Sequence, residues 1–442
     1  MHRPQASVTP AAPGAARTSA KAPGADGAGD GRDARLRLID WFDGGRVRAA
    51  KILVAGAGAI GNEVLKNLAM LGVGNVFVLD RDTVEVSNLS RSILFTAADA
   101  GQPKALVAAR AVKRINPNVA ARWRVGNLMY DLGLGVVRRM DVVIAGLDNV
   151  RARLRLNDLC LKAGRPWIEA GIGVLNGDVS VYLPGVGACY ECYTPPELAD
   201  LGLPCNRLAS RYESEGKVPT TPTMASIVGG VQAQEALKLV HPESWGGRTL
   251  ASRKFVFNGT GGEAMVVSLT QRPDCPKHPA GPRGRLVEAS EFSAARTTVG
   301  ELFDGAGDLL GSEVSLELNF VLALRLNCNC RRGRRVMMPL EKTYMEDLRC
   351  KRCGFQPLHA DALTLADKIN RSLLESHPEL RRLRLAEIGV PPLDVIRALG
   401  SARRRARAGR RGGGAWVHVP TDLHVELTGD LKPGLHFRPA SR

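Results

Sequence analysis

Two kinds of residue in this chain have types and spacings suited to chemistry: paired thiols, and a glycine-rich turn followed by spaced charges. Of the nine cysteines, most come in short pairs. Cys189-Tyr190-Glu191-Cys192 is matched later by Cys275-Pro276-Lys277-His278. Three thiols and an imidazole in two tight pairs suit a tetrahedral structural Zn²⁺. The competing reading leaves His278 as a surface histidine, with zinc absent or three-coordinate; the four-ligand centre is favoured. A second set, Cys328-Asn329-Cys330 and Cys350-Lys351-Arg352-Cys353, reads as a zinc ribbon with each pair on a knuckle turn. Cys160 lies on an expected helix and reads as a core thiol. That leaves Cys205, unpaired in a polar loop beside Arg207 and Arg211. An accessible thiol with cations nearby is the setting of a nucleophile.

The glycine turn is Gly56-Ala57-Gly58-Ala59-Ile60-Gly61. Gly56 allows the tight turn, Gly58 the close approach of a phosphate, and Gly61 the packing of helix on strand. The free N–H groups of the following helix suit an anion. Asp80 lies 19 residues beyond Gly61, at the end of the next apolar run, where a carboxylate can meet ribose hydroxyls. On these features alone an NAD enzyme and an ATP enzyme are equal. The tie is broken by Asp82, by Asn88 and Arg91 in Ser87-Asn88-Leu89-Ser90-Arg91, by Lys104 after Gln102-Pro103, and by Asp148-Asn149. Arg153 and Asn157 follow on the next helix. Singly, each of these is more often a solvated charge. Cations and carboxylates gathered beside a phosphate turn serve attack at a nucleotide phosphate, where charge must be absorbed and Mg²⁺ held.

The elements that position these residues are legible as apolar runs. Residues 51–55, 75–79, 141–145 and 166–170 read as strands buried on both faces. Helical spacing marks 62–71, about 103–115 and 150–163, and Thr221-Pro222 opens a helix running to about His241. Alternation of this kind predicts an α/β, Rossmann-like, mostly parallel sheet. A hairpin is expected over 254–269. The expected divisions are a disordered tail (1–33), a first α/β domain (34–282), a linker (283–300), and a smaller α+β accessory domain with the zinc ribbon (301–442). In that last part, 361–384 reads as helical. The tract 401–414 reads as a basic linker before a short strand pair.

Several ordered motifs make the stretch from about 35 to 280 resemble the ThiF/MoeB/HesA adenylyltransferases, the superfamily that includes ubiquitin-activating enzymes. They are GAGAIG (56–61), GVGNVFVLDRDTVEVSNLSR (72–91), GQPKA (101–105), INPNV (115–119), GLDNVRARLRLND (146–158) and GGVQAQEALKLV (229–240). The resemblance implies an enzyme that binds ATP-Mg²⁺ and adenylates the C-terminal glycine of a ubiquitin-like or sulfur-carrier protein. It assigns Asp80 to the ribose, Asn88, Arg91 and Lys104 to the phosphates, and Asp148 to Mg²⁺ or the attacking carboxylate. It makes Cys205 the thiol that takes the carrier as a thioester or acyl persulfide, although some similar enzymes with a cysteine there stop at adenylation. Ala59 replaces the usual fourth glycine and Ser92 the usual glutamine. An arginine acting in trans is expected from Arg35 or Arg37, with Arg37 favoured. A homodimer and a conjugating enzyme are the further partners it implies. The stretches 61–74 and 87–95 are more like ubiquitin-activating than molybdopterin enzymes, so ubiquitin-like conjugation is preferred to sulfur transfer.

Composition bounds the rest. With 44% apolar and 24% charged residues the chain is of globular type. No apolar run is long enough to span a bilayer, and no signal-peptide core is present, so the cytoplasm is the expected location. Lys and Arg number 61 against 44 Asp and Glu, a net charge of +17. That excess, with the ribbon, is the case for a nucleic-acid-binding zinc protein. A non-catalytic scaffold is the other rival class. The arginine tract 403–411 lacks interleaved aromatics and reads as a solvated linker, so ATP is the better supported acidic ligand and nucleic acid the weaker one.

Overall fold

The structure is a computed structural model that describes residues 31–194, 220–242, 247–278, 285–328, 330, 333–405 and 416–431. Cys205 and its loop lie outside the described residues.

The first sheet has eight strands in the order β3-β2-β1-β4-β5-β6-β7-β8. They are β1 (Lys51–Ala55), β2 (Asn75–Asp80), β3 (Ala120–Val125), β4 (Val142–Ala145), β5 (Trp167–Ile172), β6 (Asn176–Tyr182), β7 (Arg253–Asn258) and β8 (Glu263–Ser268). The first five are parallel and the last three antiparallel. The α/β, mostly parallel reading is therefore correct. Alternate residues of each central strand enter different cores, which is why these strands read as unbroken apolar runs. Ile52 and Val54 face α2 (Ala59–Leu71), α3 (Lys104–Ile115) and α6 (Pro222–Val240), behind α1 (Gly44–Ala49). Leu53 and Ala55 face α4 (Leu134–Arg138) and α5 (Val150–Ala163), where Cys160 is fully buried as expected. Gly72, with φ of 78°, closes α2 in the left-handed region. Among the described residues no helix is long and apolar enough to cross a membrane.

The second sheet has the order β11-β10-β13-β14-β9, with β12 also on β10. Its strands are β9 (Arg285–Glu288), β10 (Val314–Leu326), β11 (Arg334–Pro339), β12 (Leu363–Ile369), β13 (Val395–Arg405) and β14 (Trp416–Glu426). Helix α7 (Val299–Leu310) packs on it through Val299, Leu302 and Phe303. Three expectations are corrected. Within the expected linker 283–300, Arg285–Glu288 is a strand paired in parallel with β14. The expected helix 361–384 holds β12, and only Arg371–Ser376 is α-helix (α8). Leu363, Leu365 and Ile369 pair with Leu326, Ala323 and Leu316 of β10, so a sheet partner overrides local helix preference. The expected linker 401–414 begins inside β13, whose register with β14 runs to Arg405.

The two sheets meet at α4. Leu134 N donates to Asp394 Oδ1 at 3.0 Å, and Gly135 N donates to the Leu393 carbonyl at 2.8 Å. Arg138 and Arg139 both pair with Glu426, which is fully buried. Arg155 of α5 donates to the Asn319 carbonyl at 2.9 Å. The contact is backbone against backbone: a Cβ on Gly133 would lie 2.3 Å from the Pro392 carbonyl oxygen, and one on Gly135 2.3 Å from that of Leu393. Leu393 takes a φ of 57°, and Asp430 holds its N–H at 3.1 Å. Gly135→Ala is expected to force this junction apart at a cost of about 1–3 kcal/mol, the usual cost of overpacking. Calorimetry should then show a lowered or split unfolding transition. An unchanged single transition would contradict the close approach.

Candidate active site

The glycine turn sits where β1 feeds α2, and each glycine has a distinct reason to be there. A Cβ on Gly61 would lie 2.0 Å from the Gly56 carbonyl oxygen, and one on Gly56 would lie 2.4 Å from that of Gly146. Gly58 has open space in the same test, as a position approached by a ligand requires. Buried side chains hold the turn. Asp80 Oδ2 accepts from Ala57 N at 2.6 Å, and its Oδ1 accepts from Asp82 N at 2.8 Å. Burial pushes the Asp80 carboxyl up, against those two amides, which hold it down. Asp80 therefore braces the glycine turn, a role that its place at the strand end did not reveal.

Two residues missed in the sequence complete the frame. Asn62, fully buried, donates to the carbonyls of Ala57 (2.7 Å) and Gly58 (3.0 Å) and accepts from Leu94 N at 2.9 Å. It thus ties the turn to the segment that follows Arg91. Gln232 of α6, also fully buried, donates to the carbonyls of Ala145 (2.9 Å) and Ile168 (3.3 Å), tying β4 to β5.

The remaining charges lie along the same rim, because β2 and β4 flank β1. Lys104 Nζ donates to Asp82 Oδ2 at 3.1 Å, and Lys104 N to the Asp82 carbonyl at 2.9 Å. Asn88 is buried and its Oδ1 accepts from Glu85 N at 3.0 Å, fixing the turn that carries Arg91. Arg91 Nη1 donates to the Ser87 carbonyl at 2.9 Å. Asp148 is exposed and accepts from Asn149 Nδ2 at 3.1 Å, while Asn149 Oδ1 caps α5 by accepting from Ala152 N at 2.8 Å. Asp82 and Asp148 stand on either side of the turn, and exposed carboxylates are the donors Mg²⁺ takes. Beneath them Arg153 donates to the carbonyls of Leu147 (2.8 Å) and Ala170 (3.1 Å) and pairs with Glu169 at 3.0 Å. Burial pushes the Glu169 carboxyl up to about 7, with Arg153 opposing. Arg37 pairs with Asp33 at 2.9 Å, and Arg35 is exposed. The segment that follows is held by fully buried His241, whose Nε2 accepts from Asp43 N at 3.0 Å.

Both cysteine clusters assemble. Cys189 Sγ lies 3.9 Å from Cys192 Sγ and 3.8 Å from Cys275 Sγ, and Cys192 Sγ lies 3.4 Å from His278 Nε2. A tetrahedron with metal–sulfur bonds of about 2.3 Å has edges of about 3.8 Å, so this set fits Zn²⁺. Cys328, Cys330, Cys350 and Cys353 also converge, all within 4.8 Å, beside the β10–β11 turn. Cys350 N donates to the Phe355 carbonyl at 2.8 Å, and Gly354 N donates to the Cys350 carbonyl at 2.9 Å, closing a knuckle.

Two measurements follow. Purified protein is expected to carry two zinc ions per chain by elemental analysis, with Cys275→Ser and Cys350→Ser each removing one; a variant that keeps both would dismiss its cluster. The raised Glu169 has a pH signature. Folding takes up a proton there between the ordinary carboxyl value and about 7, so the stability it contributes is complete below that window and lost through it. Wild type should therefore fall relative to Glu169→Gln by about 1–3 kcal/mol from about pH 4.5 to about pH 7.5 in denaturant titrations.

Several known proteins resemble this chain in sequence. The adenylyltransferase and sulfurtransferase MOCS3 of Mus musculus is 35% identical over 231 residues, 52% of this chain and 48% of that protein. The sulfur carrier protein adenylyltransferase of Thermus thermophilus is 32% identical over 257 residues, 57% of this chain and 90% of that protein. SUMO-activating enzyme subunit 2 of Dictyostelium discoideum is 38% identical over 148 residues, 33% of this chain and 22% of that protein. The chain thus spans about half the length of the mouse relative and most of the Thermus one. The model of the ThiF family matches residues 32–277, from the segment before β1 to Lys277, just short of His278, and the chain belongs to that family.

Proposed function

We propose that the chain is an ATP-dependent adenylyltransferase that activates the C-terminal glycine carboxylate of a ubiquitin-like or sulfur-carrier protein. The observation that carries this reading is the braced glycine turn with Lys104, Asp82 and Asp148 around it, in a chain whose relatives are named for carrier-protein activation.

In the first step a carboxylate oxygen of the carrier attacks the α-phosphorus of ATP. The bond from that phosphorus to the bridging oxygen breaks, and pyrophosphate leaves with the electron pair. Asp80 binds the ribose while bracing the turn, and the open backbone at Gly58 with the first N–H groups of α2 receives the phosphates. Arg91 and Lys104 absorb the charge that develops, Asn88 keeps Arg91 in place, and Arg37 or Arg35 of a second copy in a homodimer adds to them. Mg²⁺, held by Asp148 and Asp82 beside Asn149, supplies positive charge to the phosphate oxygens when bound. The enzyme otherwise works by positioning two reactants.

In the second step the Cys205 thiolate attacks the acyl carbonyl, a C–S bond forms, and AMP departs. The ubiquitin-like reading follows the motif likeness of 61–74 and 87–95. Sulfur delivery is the second reading, and the Thermus relative, matched over 90% of its own length, favours it. The accessory unit would receive the carrier or a conjugating enzyme.

Pyrophosphate exchange into ATP, dependent on a carrier ending in glycine, tests the first step. Asp148→Ala should lower it by about 100-fold or more, given what loss of one group that stabilises the transition state costs. Exchange that survives the substitution would remove the site assignment. Wild type, but not Cys205→Ala, should form a carrier adduct cleaved by thiols. A persulfide in its place would decide for sulfur delivery.

A further inference from the structure

The first cysteine centre does more than close a loop, because both of its knuckles grip the helix that carries the rim. In each pair an interior residue reaches α5. From Cys189-Tyr190-Glu191-Cys192, Tyr190 N donates to buried Asn157 Oδ1 at 3.2 Å. The Tyr190 ring lies against Trp167 (5.8 Å between centroids) and Tyr182 (6.1 Å), and its hydroxyl end is beside the Arg153 guanidinium. From Cys275-Pro276-Lys277-His278, Lys277 Nζ pairs with Asp158 Oδ1 at 3.0 Å. Asp158 also holds Lys162 at 2.9 Å, and these cations keep its carboxyl well below the usual range despite its burial. Asn157, Asp158 and Arg153 are all α5 residues, and the cap of α5 is Asn149, next to Asp148.

The path to the rim is short. Arg153 lies beside Tyr190, pairs with Glu169 at 3.0 Å, and donates to the carbonyls of Ala170 and of Leu147, the residue before Asp148. A guanidinium with several fixed partners has one orientation, and the carbonyl it grips is fixed with it. A helix clamped at Asn157 and Asp158 cannot slide along its axis, so its capped end stays in place.

We infer that the Cys189–Cys192–Cys275–His278 centre is a positioning device for the nucleotide rim, with Tyr190 and Lys277 as the positioning residues that carry its geometry through α5 and Arg153 to Asp148. This rests on the reading of Asp148 as the residue that receives Mg²⁺ with ATP. It goes beyond a structural staple in one respect: the metal centre and the rim share a rigid connection and not merely a common core.

The test is calorimetric binding of ATP, with and without MgCl₂, to full-length wild type, Tyr190→Phe, Lys277→Met and Asp148→Ala, with zinc content and melting temperature measured on each. Tyr190→Phe keeps the ring and the ligands, so its zinc content should match wild type. Its affinity for ATP should fall about tenfold with Mg²⁺ present, in the range for loss of a group that orients a metal ligand. Without Mg²⁺ it should stay within about twofold, because the glycine turn is untouched. Lys277→Met, which severs the other tie, should shift in the same direction. A purely structural role would lower the melting temperature and move both affinities together. The connection is overturned if Asp148→Ala loses the Mg²⁺-dependent binding while zinc-loaded Tyr190→Phe and Lys277→Met bind like wild type. If Asp148→Ala also binds like wild type, the rim assignment itself falls and takes the inference with it.

Discussion

Everything at the rim depends on one backbone turn being rigid before a ligand arrives. The carbonyl of Gly56 leaves no room for a side chain at Gly61, so strand and helix meet at a fixed distance. Asp80 then fixes the Ala57 amide, and Asn62 fixes the carbonyls of Ala57 and Gly58. These are buried polar side chains, and each is satisfied by backbone groups that would otherwise be free to reorient. The cost of ordering the turn is thus met by the fold and not by whatever binds there. The same Asn62 reaches Leu94, so the segment bearing Arg91 inherits its placement from the turn.

The opposite layer is organised around α4 and α5. Here the second sheet does not pack as a separate body. It supplies Asp394 to the first turn of α4, Glu426 to Arg138 and Arg139, and the Asn319 carbonyl to Arg155. Such a buried carboxylate between two arginines adds orientation more than stability, since desolvation offsets most of the Coulomb gain. The first cysteine centre lies in this layer too, with Cys189, Cys192 and Cys275 in the same core as α5.

Most of the first sheet is legible in the sequence because parallel strands buried on both faces leave runs such as Lys51–Ala55 and Val142–Ala145, and because Gly72 and Thr221 mark helix ends by their own chemistry. The charged rim residues and both cysteine clusters are legible for a similar reason: their spacing is local. What is not legible depends on distant partners. Asn62 and Gln232 look like surface polar residues on helices, and only the carbonyls they meet reveal them. Asp80 has the position of a ligand residue and proves also to be a brace. Leu363–Ile369 reads as helix because the strand that captures it, β10, lies well back in the chain, and Arg285–Glu288 reads as linker because its partner is β14 near the far end.

The glycine-mediated junction at α4 also bears on how this chain can be recombined. Beside the Asp394 and Glu426 contacts, the fit between the two sheets sets main-chain carbonyls of Pro392 and Leu393 against Gly133 and Gly135, where there is no room for a side chain. A chimera that carried the second sheet onto another member of the family would therefore need that Gly-Leu-Gly pattern ahead of the β4 strand more than it would need similar surfaces. Modularity here is written in two hydrogen atoms standing where side chains would be.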